Sequence, residues 1–165
     1  MPWRHTVAQT YRIAVTNMSI TNFKTSTSKA YKKEITCPTI YKPVGPYSQA
    51  VLADKTLYVS GVLGMDACSN MICGIEGQTR QALGNLKLIL EAGETSLKGV
   101  LKTTLLLANM EDFPIVNKVY AEFFPDEYPA RSTYQVANLP LKALIEIEAI
   151  ALTGVADPAS CPCSR

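Results

Sequence analysis

Arg131 and Glu146 are the two side chains whose type and setting best suit chemistry on a small carboxylate. Arg131 follows Tyr128-Pro129-Ala130, and the next residues, Ser132–Ala137, read as a strand. Leu139-Pro140 turns the chain, and Leu144–Leu152 reads as a second strand. In that strand Ile145, Ile147, Ala149 and Ala151 point one way while Glu146 and Glu148 point the other, because strand side chains alternate with period two. If the two strands pair, a guanidinium at the start of one and a carboxylate on the other meet in one cleft. The guanidinium is a rigid fork that matches a carboxylate bidentately. The same two residues also fit an ordinary surface ion pair across a hairpin.

The elements that must hold this pair read as follows. Pro43, Gly45 and Pro46 make a stiff, turned approach to a strand beginning near Tyr47. Asp54-Lys55 is a hairpin turn, and Leu57–Leu63 is a β-branched, apolar strand. Ser60-Gly61 interrupts that strand with two small residues, the mark of a bulge, a close backbone approach to a ligand, or tight packing. Gly64 to Gly77 reads as a loop. From Gly77 to Ala92, Leu83, Leu86 and Leu90, flanked by Ala82 and Ile89, form a helical apolar stripe stopped by Gly93. Val100–Ala108 is a further strand. Asp112 can cap a second helix with Pro114 in its first turn, and Ile115, Val116, Val119, Tyr120, Phe123 and Phe124 repeat at helical spacing toward the sheet. Two helices against one mixed or antiparallel sheet is an α+β layer architecture. Apolar residues fall on both faces of some strands, Leu105, Leu106 and Leu107 together, so the second face is expected to pack on another copy.

Composition narrows the function. The chain has 165 residues, 47% of them hydrophobic, with no apolar run long enough to span a bilayer. Residues 1–33 carry six basic residues and no acid, which leaves ten basic against fourteen acidic residues in the remainder, a net of −4. A mildly acidic body lacks the clustered Lys and Arg that nucleic acid requires. The five cysteines, Cys37, Cys68, Cys73, Cys161 and Cys163, fit no zinc spacing, and the single histidine, His5, lies in the basic segment. Free thiols in a reducing compartment follow. Residues 1–34 read as a poorly ordered basic extension, with a mitochondrial transit segment or a start at Met18 as other readings. Residues 35–155 read as the folded domain and 156–165 as a loose tail.

The strings Gly45-Pro-Tyr-Ser-Gln-Ala50, Tyr58-Val-Ser-Gly61, Phe113 with Val116-Asn117 and Tyr120, Phe123-Phe124, Pro129-Ala-Arg-Ser132, Val136-Ala-Asn-Leu-Pro140 and Ile145-Glu-Ile-Glu-Ala-Ile-Ala151 stand in an order that closely resembles the Rid family, the reactive intermediate deaminases also called the YjgF family. The resemblance covers Ile40 to Gly154. It implies a chorismate-mutase-like α+β fold and a homotrimer with sites between subunits. It implies hydrolysis of 2-imino acids such as 2-iminobutanoate and 2-iminopropanoate, released by pyridoxal-phosphate enzymes, to 2-keto acids and ammonia, without metal or cofactor. Carried onto this chain, Arg131 would clamp the substrate carboxylate and Glu146 would hold or activate water. Tyr47, Ser60, Gly61, Asn117 and Thr133 would line the pocket. The best-known deaminase pattern reads Arg-Ser-Cys where this chain has Arg131-Ser132-Thr133, so a role carried by backbone survives and one carried by the thiol does not.

Two other functions fit the same resemblance. Animal members resemble proteins described as translation inhibitors with endoribonuclease activity, although an acidic body whose one histidine lies outside it suits RNA cleavage poorly. A non-catalytic trimer, binding metabolites or acting as a chaperone, would also keep Arg131. A cytoplasmic location follows from the reading without a transit segment, and a mitochondrial one from the reading with it.

Overall fold

The computed structural model describes residues 29–154. Its elements are β1 (Lys32–Ile35), β2 (Ala50–Ala53), β3 (Thr56–Leu63), α1 (Gly74–Ala92), β4 (Val100–Leu107), α2 (Phe113–Phe123), β5 (Ala130–Gln135) and β6 (Ile145–Leu152). The six strands form one sheet in the order β1-β2-β3-β6-β4-β5. Only β4 and β5 run parallel; the other neighbours are antiparallel. Both helices pack into one core on one face of this mixed sheet, joined at the surface by Arg80 of α1 and Glu122 of α2.

That core is built from the period-two and helical patterns of the sequence. Leu83, Leu86, Ile89 and Leu90 of α1 meet Leu57 and Val59 of β3, Leu105 and Leu107 of β4, and Ile145 and Ile147 of β6, all buried. Removing any one of the fully buried leucines should cost about 2–5 kcal/mol. Gly93 closes α1 for a steric reason. Its φ is −87°, and a Cβ there would meet Leu57 Cδ2 at 2.5 Å. Glu94, at φ 60°, takes the left-handed turn instead.

Two buried amides tie α1 to the strand ends. Asn85 Nδ2 donates to the carbonyls of Leu63 (3.1 Å) and Met65 (2.9 Å), and Gln78 Oε1 accepts from the Leu144 amide (2.7 Å). They fix the end of β3 against the start of β6, where Glu146 stands.

Several expectations need correction. The strands around Arg131 and Glu146 form no hairpin. Each pairs with β4, one on either side, and the chain crosses the end of β4 through Val136 N to Leu107 O (2.9 Å) and Ala108 N to Leu144 O (3.0 Å). Strand β1 begins inside the segment read as an extension, because its polar sequence is ordered by pairing with β2. Strand β2 starts at Ala50 and not near Tyr47, whose amide turns back to the Gly45 carbonyl (2.9 Å). Helix α1 begins at Gly74, whose φ of +72° suits glycine and opens the helix earlier than the spacing predicts. Asp112 makes no side-chain cap; Asn109 accepts from the Glu111 amide (3.0 Å) and caps the preceding turn. Ile115 is exposed, while Val116, Val119, Tyr120 and Phe124 reach the core. His5, Cys161, Cys163 and nearly all of the basic segment lie outside the described residues.

Candidate functional site

The sequence-predicted residues fall into two groups. The first gathers where α2 meets the edge strand β5. Arg131 sits opposite Thr103 of β4, so both side chains lie on the helix-covered face. The guanidinium lies 4.7 Å from the Tyr120 ring centroid and 5.5 Å from that of Phe113. Two aromatic faces hold a cation that none of the described carboxylates pairs with, which rules out the cross-strand ion pair as the reason for Arg131. Tyr120 is itself fixed. Its hydroxyl shares a 2.8 Å hydrogen bond with Thr103 Oγ1 and its ring stacks on Phe124 at 4.6 Å. Phe113, Asn117 and Tyr120 stand at i, i+4 and i+7, one face of α2. Asn117 Oδ1 is buried there without a hydrogen-bond partner among the described residues. Thr133 follows Arg131 on the same strand face, opposite Leu105.

The second group surrounds Glu146. This residue pairs with Leu63 on one side and Leu106 on the other. Leu106 and Thr103 are an odd number of positions apart on β4, so Glu146 and Arg131 project from opposite faces of the sheet. Within one chain they share no cleft, contrary to the hairpin expectation.

Glu146 owes its place to a bulge in β3. Val59 pairs with Ala149 and Val62 with Ile147, which leaves Ser60-Gly61 opposite Glu148 alone. The Glu146 side chain occupies the space that a Cβ on Gly61 would need. Only glycine allows the carboxylate to lie against the backbone here. Burial, and secondarily the neighbouring Glu148, push the Glu146 carboxyl above the usual range.

Tyr47 and Ser60 frame this group. The Ser60 hydroxyl donates to the Ser48 carbonyl (2.7 Å), and its amide donates to the Gln49 carbonyl (3.0 Å). Ser60 therefore staples the incoming loop to the bulge as well as lining the cleft. Tyr47 is half exposed, packs over Gly45 and accepts from the Val44 amide (3.3 Å). With Tyr41, Ser60 and Gly61 it lines a cleft of about 10 Å³, room for about one water.

Sequence reasoning placed Tyr120 in the core by its helical spacing and gave Tyr41 no role. Tyr120 is indeed core, yet its ring face carries Arg131. The signal was its i+7 relation to Phe113. Among the described residues no cluster of metal-ligating side chains is found, and no helix is long and apolar enough to cross a membrane.

Residues 38–153 match the family described as Endoribonuclease L-PSP. The chain belongs to that family, also known as YjgF or Rid. A curated relative from Homo sapiens, 2-iminobutanoate/2-iminopropanoate deaminase, is 47% identical over 119 residues, spanning 71% of this chain and 87% of the relative. The RutC family protein UK114 of Drosophila melanogaster is 46% identical over 129 residues, 77% of this chain and 94% of that one. The crystal structure of E. coli TdcF with bound serine is 33% identical, with a TM-score of 0.70 over 73% of this chain and 98% of that chain.

Proposed function

We propose that this chain is a deaminase that hydrolyses small 2-imino acids, 2-iminobutanoate and 2-iminopropanoate among them, to 2-keto acids and ammonia. The observation that carries the reading is Arg131, a guanidinium held on two aromatic rings with its fork left for a carboxylate from outside. The curated deaminases, 44–48% identical and matched over 87–96% of their own length, support it.

The chemistry asks little of the protein. Water adds to the carbon of the protonated imine, and ammonia leaves from the resulting carbinolamine. Arg131 holds the substrate carboxylate and so fixes which face the water meets. Glu146 takes the proton of the attacking water and returns it to the departing nitrogen. A carboxyl raised above its usual range is better matched to that exchange than an exposed one. Asn117, Thr133, Tyr47, Ser60 and Gly61 shape the pocket.

Because Arg131 and Glu146 leave one sheet by opposite faces, the reading requires Arg131 of one copy to meet Glu146 of another. A homotrimer with sites between subunits meets that need. The outer sheet face offers a surface for it, with Tyr58 and Tyr134 exposed beside a groove of about 340 Å³ lined by Lys102, Thr104, Glu148 and Ile150. The test is competition for an imine made in place. A pyridoxal-phosphate dehydratase releases 2-iminobutanoate from threonine, and semicarbazide traps it. Wild-type chain should lower the trapped product and Arg131→Ala should not. Unchanged trapping with wild type, for 2-iminobutanoate and 2-iminopropanoate alike, would refute the proposal.

A further inference from the structure

The group around Glu146 contains a residue outside every motif that carries the family resemblance. Tyr41 is 6% exposed, in a small cluster with Leu63, Met65 and Ala143 apart from the main core. Its hydroxyl oxygen accepts from the Leu63 amide at 2.7 Å, and Leu63 is the register partner of Glu146. The ring cannot wander. Gln49 Nε2 donates to the Tyr41 carbonyl (3.0 Å) and to that of Cys37 (3.3 Å), while Gln49 Oε1 accepts from the Cys37 amide (2.6 Å). An apolar side chain here would leave the Leu63 amide without this acceptor, so the phenol has at least that structural use.

A phenol both accepts and donates. The accepting side is committed to Leu63, while among the described residues the O–H is given to no protein acceptor. Tyr41 also lines the one-water cleft beside Tyr47, Ser60 and Gly61, the glycine that makes room for Glu146.

We infer that Tyr41 is a positioning residue for Glu146, its buried O–H directed past Gly61, which lines that cleft and abuts the Glu146 carboxylate, to that carboxylate through one water. This rests on the deaminase reading for its catalytic meaning, though not for the coupling itself. The hydroxyl would orient the water and stabilise the ionised carboxylate, the form able to take a proton. The groups facing Glu146 are few. Glu148 lies on its own strand, and Tyr41, whose phenol feels the Glu146 field, lies in the incoming loop. Leu63 and Leu106 are its uncharged neighbours on β3 and β4, and Lys102 stands farther along β4 on the same face. Burial above all, and then the fields of Tyr47 and Glu146, hold the Tyr41 phenol above its ordinary range.

The test reads the ionisation of Glu146 directly. The chain is labelled with carboxyl-13C glutamate, and the Glu146 resonance is assigned by its loss in Glu146→Gln. In Tyr41→Phe the Glu146 titration should move up by about one pH unit, because the ionised form loses a donor. The acid limb of kcat/KM for imine hydrolysis should move with it. A role confined to accepting the Leu63 amide would lower Tm and leave both titrations in place, and that result overturns the inference. Should Tyr41→Phe fail to fold, 2,3-difluorotyrosine at position 41 keeps the acceptor and strengthens the donor. The Glu146 titration must then move down, and no movement overturns the inference. A wild-type chain inactive on imines but showing these shifts would defeat the deaminase reading and leave the coupling standing.

Discussion

The Glu146 carboxylate lies where the Cβ of residue 61 would be, and Gly61 has none. A strand bulge and a half-buried acid are thereby one device. The bulge sets Ser60-Gly61 against Glu148, and the missing side chain admits Glu146. Gly61→Ala should displace the carboxylate while the bulge persists. The expected result is a loss of about 10²-fold in kcat, the usual worth of a placed acid–base group, with a small change in Tm. Steady-state kinetics beside a melting curve would check it, and a large Tm loss with kcat retained would count against the arrangement.

Arg131 is defined by its shape as well as its charge. Lys at this position would keep a cation but lose the planar fork and the stacking on Tyr120 and Phe113. Arg131→Lys should therefore cost about 10- to 100-fold in kcat/KM, mostly in KM, and Arg131→Ala more. Both should fold, since the side chain is exposed and its aromatic neighbours are anchored elsewhere. Comparable kinetics for Arg131→Lys and wild type would reduce Arg131 to a simple charge.

The pH behaviour of Glu146 has a definite sign. Its carboxyl is raised above the unfolded value, chiefly by burial and then by Glu148, so the folded state favours the neutral acid. That contribution to stability is full below the unfolded pKa and is lost as pH rises through the folded one. Glu146→Gln removes an acid that is costly when ionised. It should abolish turnover, raise Tm at neutral pH, and lose that advantage in acid. Melting curves across pH decide the matter; a Tm that falls at neutral pH would show that the carboxylate is held by favourable partners.

Asn117 carries a similar trade. Its Oδ1 is buried unpaired, a condition that costs about 1–3 kcal/mol. Asn117→Leu should raise Tm and, on the proposed reading that the orphan acceptor meets the substrate, also raise KM for the imine. A variant with unchanged KM would make Asn117 a packing residue only.

These pairs show how far the sequence could be read. The stripe of Leu83, Leu86 and Leu90 and the alternation of Ile145, Glu146 and Ile147 are local patterns, and local sterics put them where they were expected. The interruption at Ser60-Gly61 was legible, but an interior glycine also fits a ligand approach or tight packing, and the register shift beside Glu148 selects the bulge. The placement of Arg131 relative to Glu146 was not legible. Their strands are close in sequence, and a hairpin is the nearest solution; the parallel pairing of β4 with β5 is a tertiary choice, made over a distance that no local pattern records. Nor was β1 legible, for Lys32–Ile35 has one buried apolar residue and is ordered by β2. Ile115 fits the helical repeat of α2 yet faces outward, since the repeat is wider than the face the sheet can cover.

The central claim is that Arg131 and Glu146 act on one substrate from two copies of the chain. The direct measurement is complementation. Arg131→Ala and Glu146→Gln, each inactive alone, are unfolded together in equal amounts, refolded and assayed on 2-iminobutanoate. If each site draws one residue from each of two randomly assorted copies, about a quarter of the wild-type activity should return. If the mixture stays as inactive as its parts, the two residues belong to one chain's site, and a catalytic centre shared between copies is contradicted.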